Sequence, residues 1–307
     1  RLKEFLKKEQ LKVTVCLHHD QEANVARANS VMGDMVEEHF VTICPDDDFL
    51  LPTSIKRCLE FLEHNVSYTS AQGASVIINT GYSHKQFSHA YLICATHNFE
   101  ENLDTAAQRV EHYAKSYWVP HFSIIRTVHF NEITAVYRDI NDQRFGELSL
   151  SFNIIARGKS KYIEGMHVIR EMHSRRDLAE TVRDWTAKGD WKETLSRCEL
   201  DLAAVIKKSD CVDAKKAKVA AAHAYALLLD SISTRKNVQL NILLKRCVLK
   251  IIGNLFYKIR LLPIMLKYYS LLRVKVKYRP TDLEWKELEV VIDSVETFRK
   301  TTTIGES

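Results

Sequence analysis

Three aspartates stand in a row at residues 46–48, directly after the apolar run Val41–Cys44 and a single proline. Crowded carboxylates repel one another unless water or a cation neutralises them. In an extended segment residues i and i+2 project to the same side, so Asp46 and Asp48 are predicted to face one cation while Asp47 points elsewhere. Mg²⁺ or Mn²⁺ suits such a pair, because these ions take one or two carboxylates and complete their shell with water and substrate phosphates. The motif therefore predicts a divalent-metal site that binds a diphosphate.

The alternative is a solvated turn, which is the commoner use of an acidic run. Here Phe49, Leu50 and Leu51 follow the acids at once. Burying these apolar side chains would hold the carboxylates near a packed surface, where an unpaired charge is costly. This context favours the metal site over the plain turn.

The elements that position these acids are predicted from apolar patterns. Apolar, largely β-branched runs predict strands at residues 11–17, 39–44, 74–80 and 90–95. Two segments carry apolar residues at helical spacing, namely Ala28, Val31, Met32 and Met35, and then Ile55, Cys58, Leu59 and Leu62. Thr53 or Ser54 is predicted to cap the second helix. Strands alternating with helices predict an α/β fold with a mostly parallel sheet, in which ligands bind at the carboxyl ends of strands.

The second half of the chain has a different character. Six of the nine glycines and three of the five prolines precede residue 181, and long stretches of Ala, Leu, Lys and Glu at helical spacing follow. Breaks in these stretches predict roughly five helices. We therefore predict an α/β domain over residues 1–180 and an all-α helical domain over residues 181–307.

Composition excludes several classes of protein. The chain has 307 residues, of which 46% are hydrophobic and 27% charged, which is enough to bury a core. The net charge of +5 favours anionic ligands but forms no stripe typical of nucleic-acid binding, so no nucleic-acid partner is expected. Seven cysteines without a CxxC pair argue against a disulfide scaffold or a zinc ribbon and favour the reducing cytoplasm.

The order NVARANS, then PDDDFLLPTSIKRCLEFLEHN, resembles the family 2 glycosyltransferases of GT-A fold, most closely a bacterial branch with a PDDDF motif. In that family an ARN-type helix precedes a strand that ends in a DxD motif. The resemblance covers residues 1–175 and implies a Rossmann-like GT-A domain, Mn²⁺ or Mg²⁺ on Asp46 and Asp48, and a nucleotide-sugar donor, expected to be UDP-linked. It also implies donor contacts from Asn24, Arg27 and Asp47. Because the family begins with two further strands, either sequence precedes Arg1, which we expect, or nucleotide recognition is altered.

Inverting glycosyl transfer requires a carboxylate that takes the proton of the acceptor hydroxyl. The candidates are Asp139, Asp142 and Glu147. Gly146 and Glu147 are predicted to open an amphipathic helix, similar to the acidic acceptor-site motif of the family, so Glu147 is the predicted base and Asp142 the reserve. The alternative for Glu147 is a purely electrostatic role at the first helical turn.

The segment of residues 162–177 brings His167, Arg170 and His173 close together in sequence. By resemblance, His173 is predicted as a third metal ligand and Arg170 as a fork for the diphosphate. His167 is a weaker candidate, and an ordinary core or surface histidine is the alternative for both. The aromatic segment 116–122 offers rings for stacking on a sugar or base, with core packing as the alternative; its rings are Tyr117, Trp118 and Phe122.

Residues 243–279 mix Lys and Arg with Leu, Ile, Phe and Tyr. A helical bundle with a solvated basic face is one interpretation, and peripheral contact with anionic lipid at the inner face of the membrane is the other. The helical half is also a candidate for homo-oligomer formation, and the acceptor is a glycan, a lipid-linked molecule or a protein. Two other functions stay open. One is a nucleotidyltransferase, although no glycine-rich phosphate loop is present, and the other is a non-catalytic interaction protein.

Overall fold

The structure is a computed structural model and describes residues 25–79, 91–95, 100–137, 140, 142–172, 189–232 and 262–304. The helices are α1 (Val25–Gly33), α2 (Pro52–His64), α3 (Ala106–Lys115), α4 (Thr127–Tyr137), α5 (Gln143–Arg157), α6 (Trp191–Asp210), α7 (214–232), α8 (Leu262–Tyr278) and α9 (Asp282–Ile304). The strands are β1 (Phe40–Val41), β2 (Asp48–Leu50), β3 (Tyr68–Asn79), β4 (Tyr91–Ala95), β5 (Ile124–Arg126) and β6 (Lys159–Met172). The described part is therefore a mixed α/β fold, as the coarse prediction had it.

The long strand β3 is the centre of a sheet with the order β1-β5-β3-β6-β2. β6 runs parallel to β3 along one edge, while β5 and β4 share the other edge and are both antiparallel to it. β1 pairs antiparallel with β5, and β2 pairs antiparallel with β6. The prediction of a mostly parallel sheet is thus wrong for the described strands. An apolar strand can be buried in a parallel or in an antiparallel sheet, and only the connections between strands decide which pairing occurs.

Apolar side chains from both halves of the chain meet in the two largest cores. In one core Phe152 of α5 packs with Tyr225 of α7, and their ring centroids are 4.6 Å apart. In the other core Val274 of α8 and Leu288 of α9 pack with Ile169 of β6. Burying each such aliphatic or aromatic side chain contributes about 1.5–3 kcal/mol. Both cores therefore depend on helices from the second half.

The second half is helical in its described residues, as predicted, but α6–α9 pack onto the α/β part rather than only against one another. The predicted boundary near residue 180 falls in the range 173–188, which lies outside the described residues, as does the predicted strand at residues 11–17. None of the helices in the described part of the chain is both long and apolar enough to cross a bilayer.

Helix α1 buries a different face from the one predicted. Val31, Met32 and Met35 are exposed, and the helix ends at Gly33. The buried residues are Asn29, Ser30 and Gly33, and α1 packs closely on α4 through the last of these. A Cβ atom on Gly33 would lie 3.1 Å from side-chain oxygens of α4, so the close approach favours a glycine. The polar but small residues of α1 permit this contact, which the apolar pattern could not indicate.

The apolar face predicted for helix α2 is confirmed. Cys58 and Leu62 are fully buried, and the neighbouring Ile55 and Leu59 are partly buried in the same cluster. The predicted cap is wrong, because the helix begins at Pro52 without a side-chain cap. Proline suits this first position, since its missing N–H would have no helical partner there.

Candidate functional site

The acidic triplet lies at a tight turn rather than in an extended segment. Asp46 and Asp47 are the central residues of a turn, and the N–H of Asp48 closes it on the Pro45 carbonyl at 3.3 Å. β1 ends already at Val41 and is antiparallel to its neighbour, so the triplet does not follow the carboxyl end of a parallel strand. The alternation of residues i and i+2 holds for a strand and not for a turn. This geometric argument for a cation shared by two of the acids is therefore wrong.

Asp48 is the buried member of the triplet, and β6 holds it in place. In the pairing of β2 with β6, Asp48 stands opposite Arg170. Its Oδ1 accepts a hydrogen bond from the Glu171 N–H at 3.1 Å, and its Oδ2 lies 3.7 Å from Nε of Arg170. Asp46 is exposed, and Asp47 is half-buried. The structure therefore brings together Asp48 and Arg170, two predicted site residues from distant parts of the chain.

Arg170 also contacts the aromatic segment that precedes β5. Its guanidinium lies over the Phe122 ring, 5.0 Å from the ring centroid. Phe122 ends the 3-10 turn Pro120–Phe122, and both its ring and that of Trp118 are buried in the protein. Core packing, rather than stacking on a sugar, is thus the role of these two rings, and the buried Phe122 ring also supports the guanidinium of Arg170.

His121 lies within electrostatic range of this arginine and contacts the backbone of Glu147. Glu147 is exposed in the second turn of α5, and Nε2 of His121 lies 2.9 Å from its backbone carbonyl and 2.8 Å from Oγ of Ser151. Burial lowers the pKa of the His121 imidazole, the charge of Glu147 opposes that shift, and the charge of Arg170 adds to it. Both charges therefore lie within electrostatic range of the ring. Sequence reasoning considered only the aromatic residues of segment 116–122 and missed the histidine among them.

Asp142, the reserve base, caps a helix. Its Oδ1 accepts a hydrogen bond from the N–H of Phe145 at 2.9 Å, which satisfies a free donor in the first turn of α5. The helix therefore begins at Gln143, and the prediction that Gly146 and Glu147 open it is wrong. A carboxylate at the cap position forms hydrogen bonds with the first-turn amides, which explains the earlier start. Because Glu147 lies beyond the first turn, the helix-dipole alternative does not describe it.

His167 is a structural residue of the core. Its Nδ1 lies 2.8 Å from Oγ of Ser54, and its Nε2 donates to the Phe122 carbonyl at 2.8 Å. Burial lowers the pKa of this imidazole to about 4, so the ring is neutral at pH 7. Both ring nitrogens of His167 are therefore engaged within the protein. His167 is not placed as a metal ligand but connects α2, β6 and the Pro120–Phe122 turn.

Several predicted residues cannot be assigned to the site from the structure. Asn24 and His173 lie outside the described residues, as does Asp139. Arg27 is on α1, but its side chain is not among the described ones. Their predicted contacts with donor or metal stay predictions.

The turn offers oxygen ligands of the kind that a hard divalent cation prefers. The carboxylate of Asp46 is exposed, and Asp48 lies two residues further on. Within the described ranges, no group of three or more His, Cys, Asp or Glu side chains could hold a metal ion by itself. Mg²⁺ and Mn²⁺ often need only one or two carboxylates, with water and phosphate as the other ligands. Asp46 supplies an exposed carboxylate of this kind, but both oxygens of Asp48 already face groups of β6, so a metal shared by the two acids stays a prediction.

No protein-family model matches the chain, and no curated protein matches it. The assignment of a function rests on the residues themselves.

Proposed function

We propose that this protein is a metal-dependent, inverting glycosyltransferase of the family 2 type with a GT-A domain, which moves a sugar from a nucleotide-diphosphate donor to an acceptor hydroxyl. The observation that carries the proposal is the pairing of β2 with β6, which sets Asp48 of the PDDDF motif opposite Arg170. A carboxylate motif and a guanidinium together suit a diphosphate, since each can bind it directly or through a cation.

The proposed reaction uses one proton transfer and one displacement. The Glu147 carboxylate takes the proton of the acceptor hydroxyl while that oxygen forms a bond to the anomeric carbon of the donor. The bond from this carbon to the diphosphate breaks on the opposite side, so the configuration of the sugar inverts. The exposed position of Glu147 leaves its carboxylate open to an incoming acceptor.

The charges beside the turn favour departure of the diphosphate. Arg170 is held in place by Asp48 and by the Phe122 ring, so its positive charge is positioned before the donor binds. Asp46 and Asp48 would hold Mn²⁺ or Mg²⁺, which when bound neutralises charge on the leaving group. Asp47, Asn24 and Arg27 are proposed to contact the donor, and His173 to complete the metal site.

Ligand-dependent melting of the purified chain tests this function. The chain is heated with Mn²⁺ and each of UDP, GDP, CMP and nucleoside triphosphates, and also with each component alone. A ligand at 100 times its Kd adds about 2.7 kcal/mol to the free energy of unfolding, which is readily measured as a rise in Tm. We expect such a rise for UDP in the presence of Mn²⁺, and little rise for either alone.

Three conservative variants sharpen the test. Asp46→Asn and Asp48→Asn are each expected to abolish the ligand-induced rise in Tm, whereas Asp34→Asn, an exposed acid on another segment, should leave it unchanged. Asp48→Asn also removes the charge opposite Arg170, so the comparison uses the rise within each variant and not the absolute Tm. A response to triphosphates alone would indicate a nucleotidyltransferase. No response to any nucleotide would contradict a catalytic function and favour an interaction protein.

A further inference from the structure

Helix α8 carries charge of one sign only. The segment Leu262–Tyr278 contains four Lys or Arg residues and no Asp or Glu. One of them, Lys267, is bound to Glu296 of α9 at 2.8 Å. Arg273, Lys275 and Lys277 are exposed. Arg273 and Lys275 therefore add positive charge to the exposed side of the helix, where Lys275 also lies over the Trp285 ring of α9, 5.5 Å from its centroid.

The same exposed side of α8 is rich in apolar and aromatic groups. Four large side chains on this side are between 59% and 68% exposed, namely Tyr268, Tyr269, Leu272 and Val276. Tyr268, Leu272 and Val276 follow one another at intervals of four residues, so they form a line along the helix. At about 3.6 residues per turn, Arg273 and Lys275 lie on opposite sides of this line. We call Tyr268, Tyr269, Leu272, Arg273, Lys275 and Val276 together the Tyr268 face.

The other side of α8 is occupied by the protein itself. Val274 and Tyr278 are buried in the core with β3 and β6, and the Ser270 hydroxyl accepts a hydrogen bond from the Leu92 N–H at 3.0 Å. This anchoring fixes the rotation of the helix about its axis. The Tyr268 face is consequently held outward and cannot turn its apolar line into the core.

The charges on the Tyr268 face select the kind of partner. Two copies of the chain joined through this face would bring Arg273 and Lys275 of each close to those of the other, with no acid on α8 to separate them. Helix α9 differs, because its exposed Val290 stands beside the exposed acids Glu289 and Asp293. An apolar line between cations is the arrangement that suits an anionic lipid surface, where Tyr is also favoured at the headgroup level.

We propose that the Tyr268 face binds the anionic surface of a lipid membrane, with its apolar line entering the headgroup region and its cations contacting the lipid phosphates and carboxylates. The interaction is peripheral and depends on the negative charge of the lipid. It does not depend on the proposed transferase activity. If that activity is present, this contact keeps the site beside acceptors carried in or on the bilayer.

Sedimentation of the full chain with lipid vesicles tests the proposal. Vesicles of phosphatidylcholine alone are compared with vesicles that also contain phosphatidylserine, over a series of lipid concentrations and at low and high salt. We expect binding to the mixed vesicles that weakens as salt is added, because salt screens the charges of lysine and arginine. Binding to phosphatidylcholine alone should be at least about tenfold weaker.

Surface variants locate the contact. Arg273→Gln should weaken binding to the mixed vesicles about fivefold, as expected for one cation near the headgroups, and Leu272→Ser about tenfold through loss of apolar burial. The matched control is Val290→Ser on α9, which is equally exposed but lies beside acids and should bind as the parent chain does. All three positions are on the surface, so unchanged melting temperatures establish that each variant is folded.

Several outcomes would overturn the proposal. One is equal binding to both kinds of vesicle, and another is no binding to either. A third is equal loss in Val290→Ser and Leu272→Ser. A concentration-dependent dimer that Leu272→Ser dissociates would also overturn it, since a second copy of the chain would then occupy the face.

Discussion

Replacing Arg109 by methionine is expected to lower the free energy of unfolding by about 4 kcal/mol. Arg109 is buried on α3 and donates four hydrogen bonds of 2.8–3.0 Å to backbone carbonyls, those of Leu103, Asp104, Ile155 and Ala156. Two of these carbonyls are in the last turn of α5, where no helical partner exists. Methionine preserves much of the apolar stem but leaves all four acceptors unsatisfied. Urea unfolding followed by circular dichroism measures the loss.

Two further variants separate this role from a general effect of charge. Lys115→Met removes a cation from the same helix, but the ion pair of Lys115 with Glu111 is largely exposed, so the expected loss is below about 0.5 kcal/mol. Arg109→Lys keeps the charge and should give an intermediate loss, because an ammonium group cannot reach carbonyls on both sides. Similar losses for Arg109→Met and Lys115→Met would show that these hydrogen bonds do not stabilise the fold.

Acidification from pH 7.5 to pH 5 is expected to lower the free energy of unfolding by about 2 kcal/mol through His167 alone. Burial lowers the pKa of this imidazole from 6.5 to about 4, so the folded state favours the neutral ring. The contribution is therefore complete above pH 6.5, declines as the unfolded chain takes up a proton, and is lost below pH 4. Urea unfolding at several pH values measures the slope, and NMR titration of the imidazole measures the pKa directly.

The variant His167→Gln isolates this contribution. Glutamine retains a donor for the Phe122 carbonyl and an acceptor for Ser54 but does not titrate in this range. Other histidines titrate equally in both proteins, so the difference between the two slopes belongs to His167. We expect the variant to be less stable at pH 7.5 and to lose about 2 kcal/mol less on acidification. Parallel pH profiles would contradict a buried, neutral His167.

Periodic patterns in the sequence predicted those features that depend on near neighbours in the chain. The apolar face of α2, the continuous apolar run within β3 and the helical character of the second half all follow from the spacing of side chains. Core packing was one of the two predicted roles of the aromatic segment 116–122, and the buried Phe122 ring has that role. These predictions succeed because the geometry of helices and strands repeats over a few residues. The spacing of neighbouring residues in the chain therefore indicates which face can be buried.

The sequence alone determined the α/β class, the position of the acidic triplet and the residue types available for chemistry. Only the tertiary structure decided the direction of the strands, the pairing of Asp48 with Arg170, the approach of His121 to Glu147, and the capping role of Asp142. It also decided that His167 serves the core and that α8 holds its apolar line outward. The physical reason is that hydrogen-bond partners, burial and electrostatic neighbours are set by strand register and packing between distant segments, which no local spacing specifies.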